Sequence, residues 1–102
     1  MLYFIEVVLP LAVSKTFTYQ VSEAEFHYIQ IGMRVAVPFG KTKIYTALVL
    51  DKNNTPPQLY EAKEIHQILD EKPVVNLHQI EHLKWISSYY MCSLGEVFRS
   101  AL

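Results

Sequence analysis

This chain has a single cysteine and almost no net charge. A single cysteine among 102 residues, Cys92, excludes an internal disulfide and a multi-cysteine zinc site, which fits a reducing compartment such as the cytoplasm. The net charge of −1 gives no global basic field of the kind that attracts nucleic acid. The N-terminus lacks the basic stretch of a signal peptide, and Glu6 interrupts an apolar run that is far too short to span a bilayer. We therefore expect a cytoplasmic domain without membrane contact.

The composition is that of one small globular domain over residues 1–102, because 51% of the residues are hydrophobic and no second domain or repeat is visible. Charge is nevertheless unevenly distributed. Residues 34–63 carry five basic against two acidic side chains, a local net charge of +3. The five are Arg34, Lys41, Lys43, Lys52 and Lys63, so the middle of the chain is its basic part.

β-rich runs occupy residues 1–73, and we predict five strands there, at about 2–9, 16–21, 34–39, 44–50 and 63–69. In the last of these, Ile65 and Leu69 should face inward. Residues 22–25 read as a turn or one short helical turn, and residues 51–57 as a loop. Five short strands in about seventy residues predict a small barrel or sandwich, and we favour a barrel of the OB or SH3 type.

Helical spacing replaces the strand pattern in residues 74–102. Apolar side chains recur at Leu77, Ile80, Leu83, Ile86 and Tyr90, after Asn76 as N-cap and with Gln79 at N3. Residues 94–102 form a second predicted helix, capped by Ser93. The fold class is therefore mainly β with a C-terminal helical part, whose apolar face should cover the open face or edge of the sheet.

The run Gly32–Gly40 combines a strand, a break at Pro38 and a free glycine beside lysines, which suits a phosphate or a nucleotide. Gly40-Lys41-Thr42 resembles the end of a P-loop only superficially. The motif requires a glycine five positions before Gly40, where this chain has Val35, and the residues that follow are strand-like rather than helical. We interpret the segment as a hairpin turn with solvated lysines.

No catalytic or metal constellation emerges elsewhere in the sequence. His78 and His82 lie at i and i+4 on the predicted helix but lack a third ligand, so we interpret them as surface histidines. Cys92 follows Met91 in an apolar segment and is given no chemistry. Phe17 and Tyr19 share a strand face, either as core aromatics, the favoured interpretation, or as a stacking platform for a base. The residues alone thus predict a β-barrel with a basic rim.

The ordered set of motifs resembles one family, the N-terminal DNA-binding domain of primosomal protein N′, the PriA replication-restart helicase family. The resemblance spans the whole chain. Its residues are Val8-Leu9-Pro10, Thr16-Phe17-Thr18-Tyr19, the Gly32–Gly40 run, Lys63 before Ile68-Leu69-Asp70, Pro73-Val74, Tyr89-Tyr90, Leu94-Gly95-Glu96-Val97 and Ala101-Leu102.

This resemblance implies a domain that captures the 3′ end of the nascent leading strand at a stalled fork, without regard to base identity. We expect the chain to be a monomer. Carried over by position, the pocket would comprise Phe17, Thr18, Tyr19, Gly40 and Lys63. Possible further phosphate contacts are Arg34, Lys41 and Lys43. Where the family commonly has an aspartate, this chain has Thr18, which predicts weaker discrimination between a 3′-hydroxyl and a 3′-phosphate.

The resemblance also implies a longer parent protein, an ATP-dependent helicase moving 3′ to 5′ with ATP, magnesium and zinc as cofactors and primosome proteins as partners. The motor and the zinc module are missing from this sequence, so we expect it to bind DNA, to need no cofactor and to catalyse nothing. A protein-binding β-barrel that uses exposed aromatics and a sheet edge is the alternative.

Overall fold

A computed structural model of the chain describes residues 1–12, 15–57 and 61–101. Five strands form one antiparallel sheet in the order β2-β1-β4-β3-β5. In chain order the elements are β1 (Tyr3–Val8), β2 (Phe17–Val21), α1 (Glu23–Tyr28), β3 (Arg34–Phe39), β4 (Lys43–Asn53), β5 (Gln67–Ile68), α2 (Leu77–Tyr90) and α3 (Leu94–Ala101). The predicted β+α class and small five-stranded barrel-like sheet are confirmed, and the barrel is half open.

The barrel core lies on the concave face of the sheet, where side chains at alternate positions of each strand point inward. On β1 the inward residues include Ile5 and Val7, as the alternation predicted. The same core contains Val35 and Val37 of β3. One face of each strand is thereby removed from water, which fixes the register of the sheet.

The second face of the sheet is covered by the C-terminal helices. Val8 and Leu48 of the sheet pack with Ile80 and Leu83 of α2 and with Phe98 of α3. The helices thus close the open face, as predicted. Leu77 and Tyr90, however, are exposed, so the buried stripe of α2 is shorter than its predicted apolar repeat.

The N-termini of α2 and α3 are capped as predicted. The Asn76 side chain accepts from the backbone N–H of Gln79 at 2.8 Å, and the Gln79 side chain accepts from the backbone N–H of Asn76 at 2.7 Å. Ser93 forms the matching pair of bonds with Glu96 at the start of α3. Each cap satisfies amides that the first helical turn leaves without partners.

The predicted strand at 63–69 is wrong in extent, because only Gln67–Ile68 pairs with β3. Residues 63–66 cross from one edge of the sheet to the other and form the crossing segment. The backbone N–H of Gln20 donates to the Lys63 carbonyl, and the backbone N–H of His66 donates to the Ala36 carbonyl. A bend at His66 changes the alternation, so Ile65 and Ile68 pack on the core while Leu69 is exposed. The crossing segment partly closes the barrel.

Two further boundaries differ from prediction. β4 continues through Asn53, because its second half pairs with β1, so the predicted loop starts only at Asn54. Of the two alternatives predicted after β2, the helical one is confirmed, but the helix α1 is six residues long and continues to Tyr28; its capping box joins Ser22 and Glu25. The full lengths of β4 and α1 were not predicted, because polar residues interrupt the apolar pattern of both.

Candidate nucleic-acid interface

The turn after β3 forms one wall of the candidate site. Gly40 has a φ of 71°, in the left-handed region that glycine adopts without strain. A Cβ built on Gly40 would have no heavy atom within 4 Å, so the space above this residue is open. The break at Pro38 and the glycine therefore produce an accessible stretch of backbone, as the sequence predicted.

The two aromatic residues of β2 form a second wall. Tyr19 is only 4% exposed, and its hydroxyl donates to the Pro38 carbonyl at 2.7 Å. Phe17 is half-buried and packs edge-on against Phe39, with ring centroids 5.2 Å apart. Tyr19 is thus a core residue that ties β2 to β3. Phe17 keeps part of its surface available at the cavity.

Lys63 connects the two walls. Its carbonyl accepts from the Gln20 amide at 2.8 Å on the outer edge of β2. Its ammonium donates to the Gly40 carbonyl at 3.1 Å. The partner of this cation is a neutral carbonyl, so its positive charge is not cancelled by that bond.

The structure brings all five predicted pocket residues together around one cavity of about 260 Å³. Residues spread over 47 positions of sequence meet because β2, the β3–β4 turn and the crossing segment converge at one end of the barrel. The predicted members are Phe17, Thr18, Tyr19, Gly40 and Lys63, and the lining also includes Lys15, Pro38, Phe39 and Glu61.

Thr18 differs from its neighbours in orientation. It lies opposite Glu6 in the β1–β2 register, and its hydroxyl donates to a Glu6 carboxylate oxygen at 2.6 Å. Glu6 also accepts from the Thr16 hydroxyl at 3.3 Å. A short hydrogen bond to a carboxylate is a strong one, so it fixes the rotamer of Thr18. The Thr18 main-chain groups face the same edge as those of Gln20, because backbone direction repeats every second residue.

Arg34 lies outside the cavity lining, at the opposite end of β3. Its guanidinium donates to both Asp70 carboxylate oxygens at 3.0 Å, and its amide donates to the same carboxylate at 2.8 Å. The Arg34 side chain, followed by its amide, holds the pKa of Asp70 below its usual value. This bidentate pair fastens the segment after β5 to the sheet.

Lys41 and Lys43 follow Gly40 and are exposed, but neither lines the cavity. They flank the turn on its solvent side, as the hairpin interpretation predicted. His78 and His82 are exposed on α2, and His82 stacks on Trp85. Across residues 1–12, 15–57 and 61–101, no group of three or more His, Cys, Asp or Glu side chains could hold a metal ion.

Two charged lining residues, Lys15 and Glu61, were missed by the sequence reasoning. The Lys15 ammonium lies 5.0 Å from the centroid of the Phe17 ring. The alternation that aligns Phe17 with Tyr19 could have found it, since residue 15 is one step earlier on the same face. Glu61 is brought to the cavity by the crossing segment, and no local pattern in the sequence reports that path.

A half-open β-barrel whose aromatic-walled cavity carries two lysines at its rim is the architecture of a small nucleic-acid-binding domain. The described part of the chain has no helix long and apolar enough to cross a membrane. A family model for the 3′DNA-binding domain (3′BD) of PriA matches residues 6–102. The chain belongs to this family of DNA-binding domains.

Curated relatives agree with the family match. The chain is 40% identical over 77 residues to the replication restart protein PriA of Haemophilus influenzae, covering 72% of this chain and 10% of that protein. It is 36% identical over 97 residues to the protein of that name from Rickettsia prowazekii, covering 90% and 14%. For Treponema pallidum the identity is 25% over 96 residues, covering 90% and 15%. The chain thus spans 10–15% of the length of these relatives.

Proposed function

We propose that the cavity captures the 3′ end of the nascent leading strand at a stalled replication fork. The convergence of Phe17, Tyr19, Gly40 and Lys63 on one small cavity is the observation that carries the proposal. The open space above Gly40 lets a sugar approach the backbone closely, and the rim lysines attract phosphate. A cavity walled by β2, the β3–β4 turn and the crossing segment accepts the end of a strand more readily than its middle.

Indifference to base identity follows from the chemistry of the lining. Phe17 offers a π-face and an edge, which every base can contact. Lys63 offers charge to phosphate, which carries no sequence information. Side chains able to read base edges are few here, with Glu61 the clearest, so binding should vary little with the terminal base.

The larger protein would supply the remaining activities. We infer that the parent is an ATP-dependent helicase that moves 3′ to 5′ in the cytoplasm, with ATP, magnesium and zinc bound outside this domain. It would load the replicative helicase through primosome partners. The domain itself would hold the DNA end and catalyse no reaction.

Forks that differ only in strand content test the proposal. One has a leading strand ending at the branch, a second has only a lagging strand, and a third has neither. The domain should bind the first at least about tenfold more tightly, a difference of about 1.4 kcal/mol. Equal binding to all three would remove the assignment to the leading-strand end.

A protein-binding function is the second candidate, and the surface of α2 favours it. Trp85 stacks on His82 and on Tyr89, with ring centroids 6.0 and 5.1 Å apart, and Trp85 is 57% exposed. Aromatic residues of this kind are enriched in protein interfaces. Salt separates the two functions, because DNA binding through lysines weakens steeply as salt rises and an apolar contact does not.

A further inference from the structure

Lys15 is a second cation at the rim of the cavity, beside Lys63. Its ammonium lies over the ring of Phe17, and its side chain is otherwise exposed. A cation–π contact attracts the ammonium to the face of the ring. This contact restricts a flexible side chain to the rim, so less conformational entropy is lost when an anion binds there.

The charge of Lys15 is not taken up by an acidic partner in the described part of the chain. The ion pairs found there join Glu23 with His27, Asp70 with Arg34, and Glu81 with Lys84. Lys63, in contrast, already donates to the Gly40 carbonyl. Lys15 is therefore the rim cation whose charge is more readily available to a ligand.

Lys15 also borders a second cavity, of about 330 Å³, and two residues of its lining, Thr16 and Ser93, are hydrogen-bonded to carboxylates. The Glu96 carboxylate accepts from the Ser93 amide and hydroxyl, and these bonds lower the pKa of Glu96. The Glu6 carboxylate lies near this side too, bound to Thr16. Both carboxylates repel phosphate. The first cavity has one acidic lining residue, Glu61, against the two lysines Lys15 and Lys63, so a strand that reaches Lys15 should lie on the Phe17 side.

We propose that Lys15 binds the phosphate that joins the last two nucleotides of the captured strand. The proposal rests on the proposed function, because the terminal nucleotide must occupy the cavity. With the terminal nucleotide in the cavity, the next phosphate would lie at the rim, where Lys15 lies. The domain then recognises two nucleotides, with the terminal one enclosed and the preceding linkage held by charge.

A thermodynamic cycle between Lys15 and that phosphate tests the proposal. Fluorescence anisotropy compares the wild type with Lys15→Gln on a single strand with a free 3′ end. A second strand carries an uncharged methylphosphonate at the last linkage. We expect each single change to weaken binding about fivefold and the two together to weaken it little further, because they remove the same contact. Independent, multiplying losses would overturn the proposal.

Salt dependence and a matched variant complete the design. Lys15→Gln should flatten the dependence of log affinity on log salt by about 0.7, the contribution of one single-strand phosphate. Lys72→Gln, a change at an exposed lysine outside the cavity, should alter neither the affinity nor the cycle. An equal loss from both lysine variants would assign Lys15 to general attraction and contradict the specific contact.

Failure of this proposal and failure of the proposed function have different signatures. If strand-end capture is wrong, the wild type binds free and bulky-capped 3′ ends equally. If only the Lys15 contact is wrong, the wild type still prefers the free end while the Lys15 and methylphosphonate effects multiply. Thermal unfolding of each variant checks that an affinity loss does not arise from a loss of fold.

Discussion

Each end of β3 carries a glycine with positive φ and a basic side chain nearby. At the start, the Gly32 amide donates to the Val49 carbonyl, and its carbonyl accepts from the Val74 amide. There the basic residue, Arg34, is held by the Asp70 carboxylate. At the far end, Gly40 borders open space, and Lys63 has a neutral carbonyl as its partner.

This difference separates structure from binding along one strand. A cation with a carboxylate partner stabilises the fold and has little charge left for a ligand. A cation beside an exposed carbonyl costs little to redirect towards a phosphate. Two glycines with similar φ are likewise required for different reasons, one for packing and one for access. Paired variants at the two ends can break or sharpen this contrast.

The largest effect should come from Gly32→Ala. A Cβ at Gly32 would lie 2.1 Å from the Val75 carbonyl oxygen, and the φ of 97° adds strain. We expect a loss of about 3–5 kcal/mol in the free energy of unfolding, from overpacking and backbone strain together. Gly40→Ala, with open space around its Cβ, should lose only about 1–2 kcal/mol. Urea unfolding measures both, and equal losses would contradict the contrast.

Arg34→Ala should lower the free energy of unfolding by about 2 kcal/mol, because it leaves the largely buried Asp70 carboxylate without its side-chain donors. Lys72→Ala, at an exposed lysine, should change stability by less than about 0.5 kcal/mol. Binding by folded Arg34→Ala should remain, since Arg34 does not line the cavity. A stable Arg34→Ala domain with lost DNA binding would reverse the roles of the two ends.

The pH dependence of the Arg34 contribution has a definite sign. The pKa of Asp70 is lowered from 3.8, chiefly by the hydrogen bond from the Arg34 side chain. The contribution is therefore fully present above pH 3.8 and lost as the pH falls through the lower folded-state value. The stabilities of wild type and Arg34→Ala should converge in that acid range. A difference that grows on acidification would be inconsistent with the pair.

Lys63→Ala should show the opposite pattern to Arg34→Ala. The Lys63 side chain is exposed, so the free energy of unfolding should change by less than about 0.5 kcal/mol. Affinity for a free 3′ end should fall about tenfold, or about 1.4 kcal/mol, because a rim charge is lost. Titration at fixed salt, with Lys72→Ala as the control, measures the change. Unaltered affinity would remove Lys63 from the site.

Thr18→Asp should give the smallest effect, a gain of about fivefold in preference for a 3′-hydroxyl over a 3′-phosphate end, or about 1 kcal/mol. An added carboxylate accepts from the hydroxyl and repels the phosphate. Because Glu6 lies 2.6 Å from the Thr18 hydroxyl, the variant is best made with Glu6→Gln, which avoids two adjacent carboxylates. Unchanged preference relative to Glu6→Gln alone would refute this prediction.

Local patterns predicted most of the fold because they record burial and capping directly. Alternation marked β1 and β3, β-rich composition marked β2 and β4, and Asn76 with Gln79 marked the start of α2. The crossing segment escaped prediction because its bonds are isolated and its bend at His66 breaks the alternation. Paths of that kind are set by distant edges of the sheet, which a local pattern does not describe.

The candidate site shows the same limit. Its five residues were chosen by resemblance, and the structure gathers them around one cavity. The resemblance did not indicate that the Thr18 hydroxyl is bound to Glu6. Lys15 was missed although alternation places it on the face of Phe17, and Glu61 was missed because the crossing segment brings it to the cavity. The resemblance identified five residues of the site, but it did not identify the partners of their side chains.

Capture of a strand end is tested most directly by two forks that differ only in a bulky cap on the leading-strand 3′ oxygen. Their affinities are measured for the wild type and for Lys63→Ala. The free end should bind the wild type at least about tenfold more tightly, and Lys63→Ala should lose most of this preference. Equal affinity of the wild type for both forks would contradict the account.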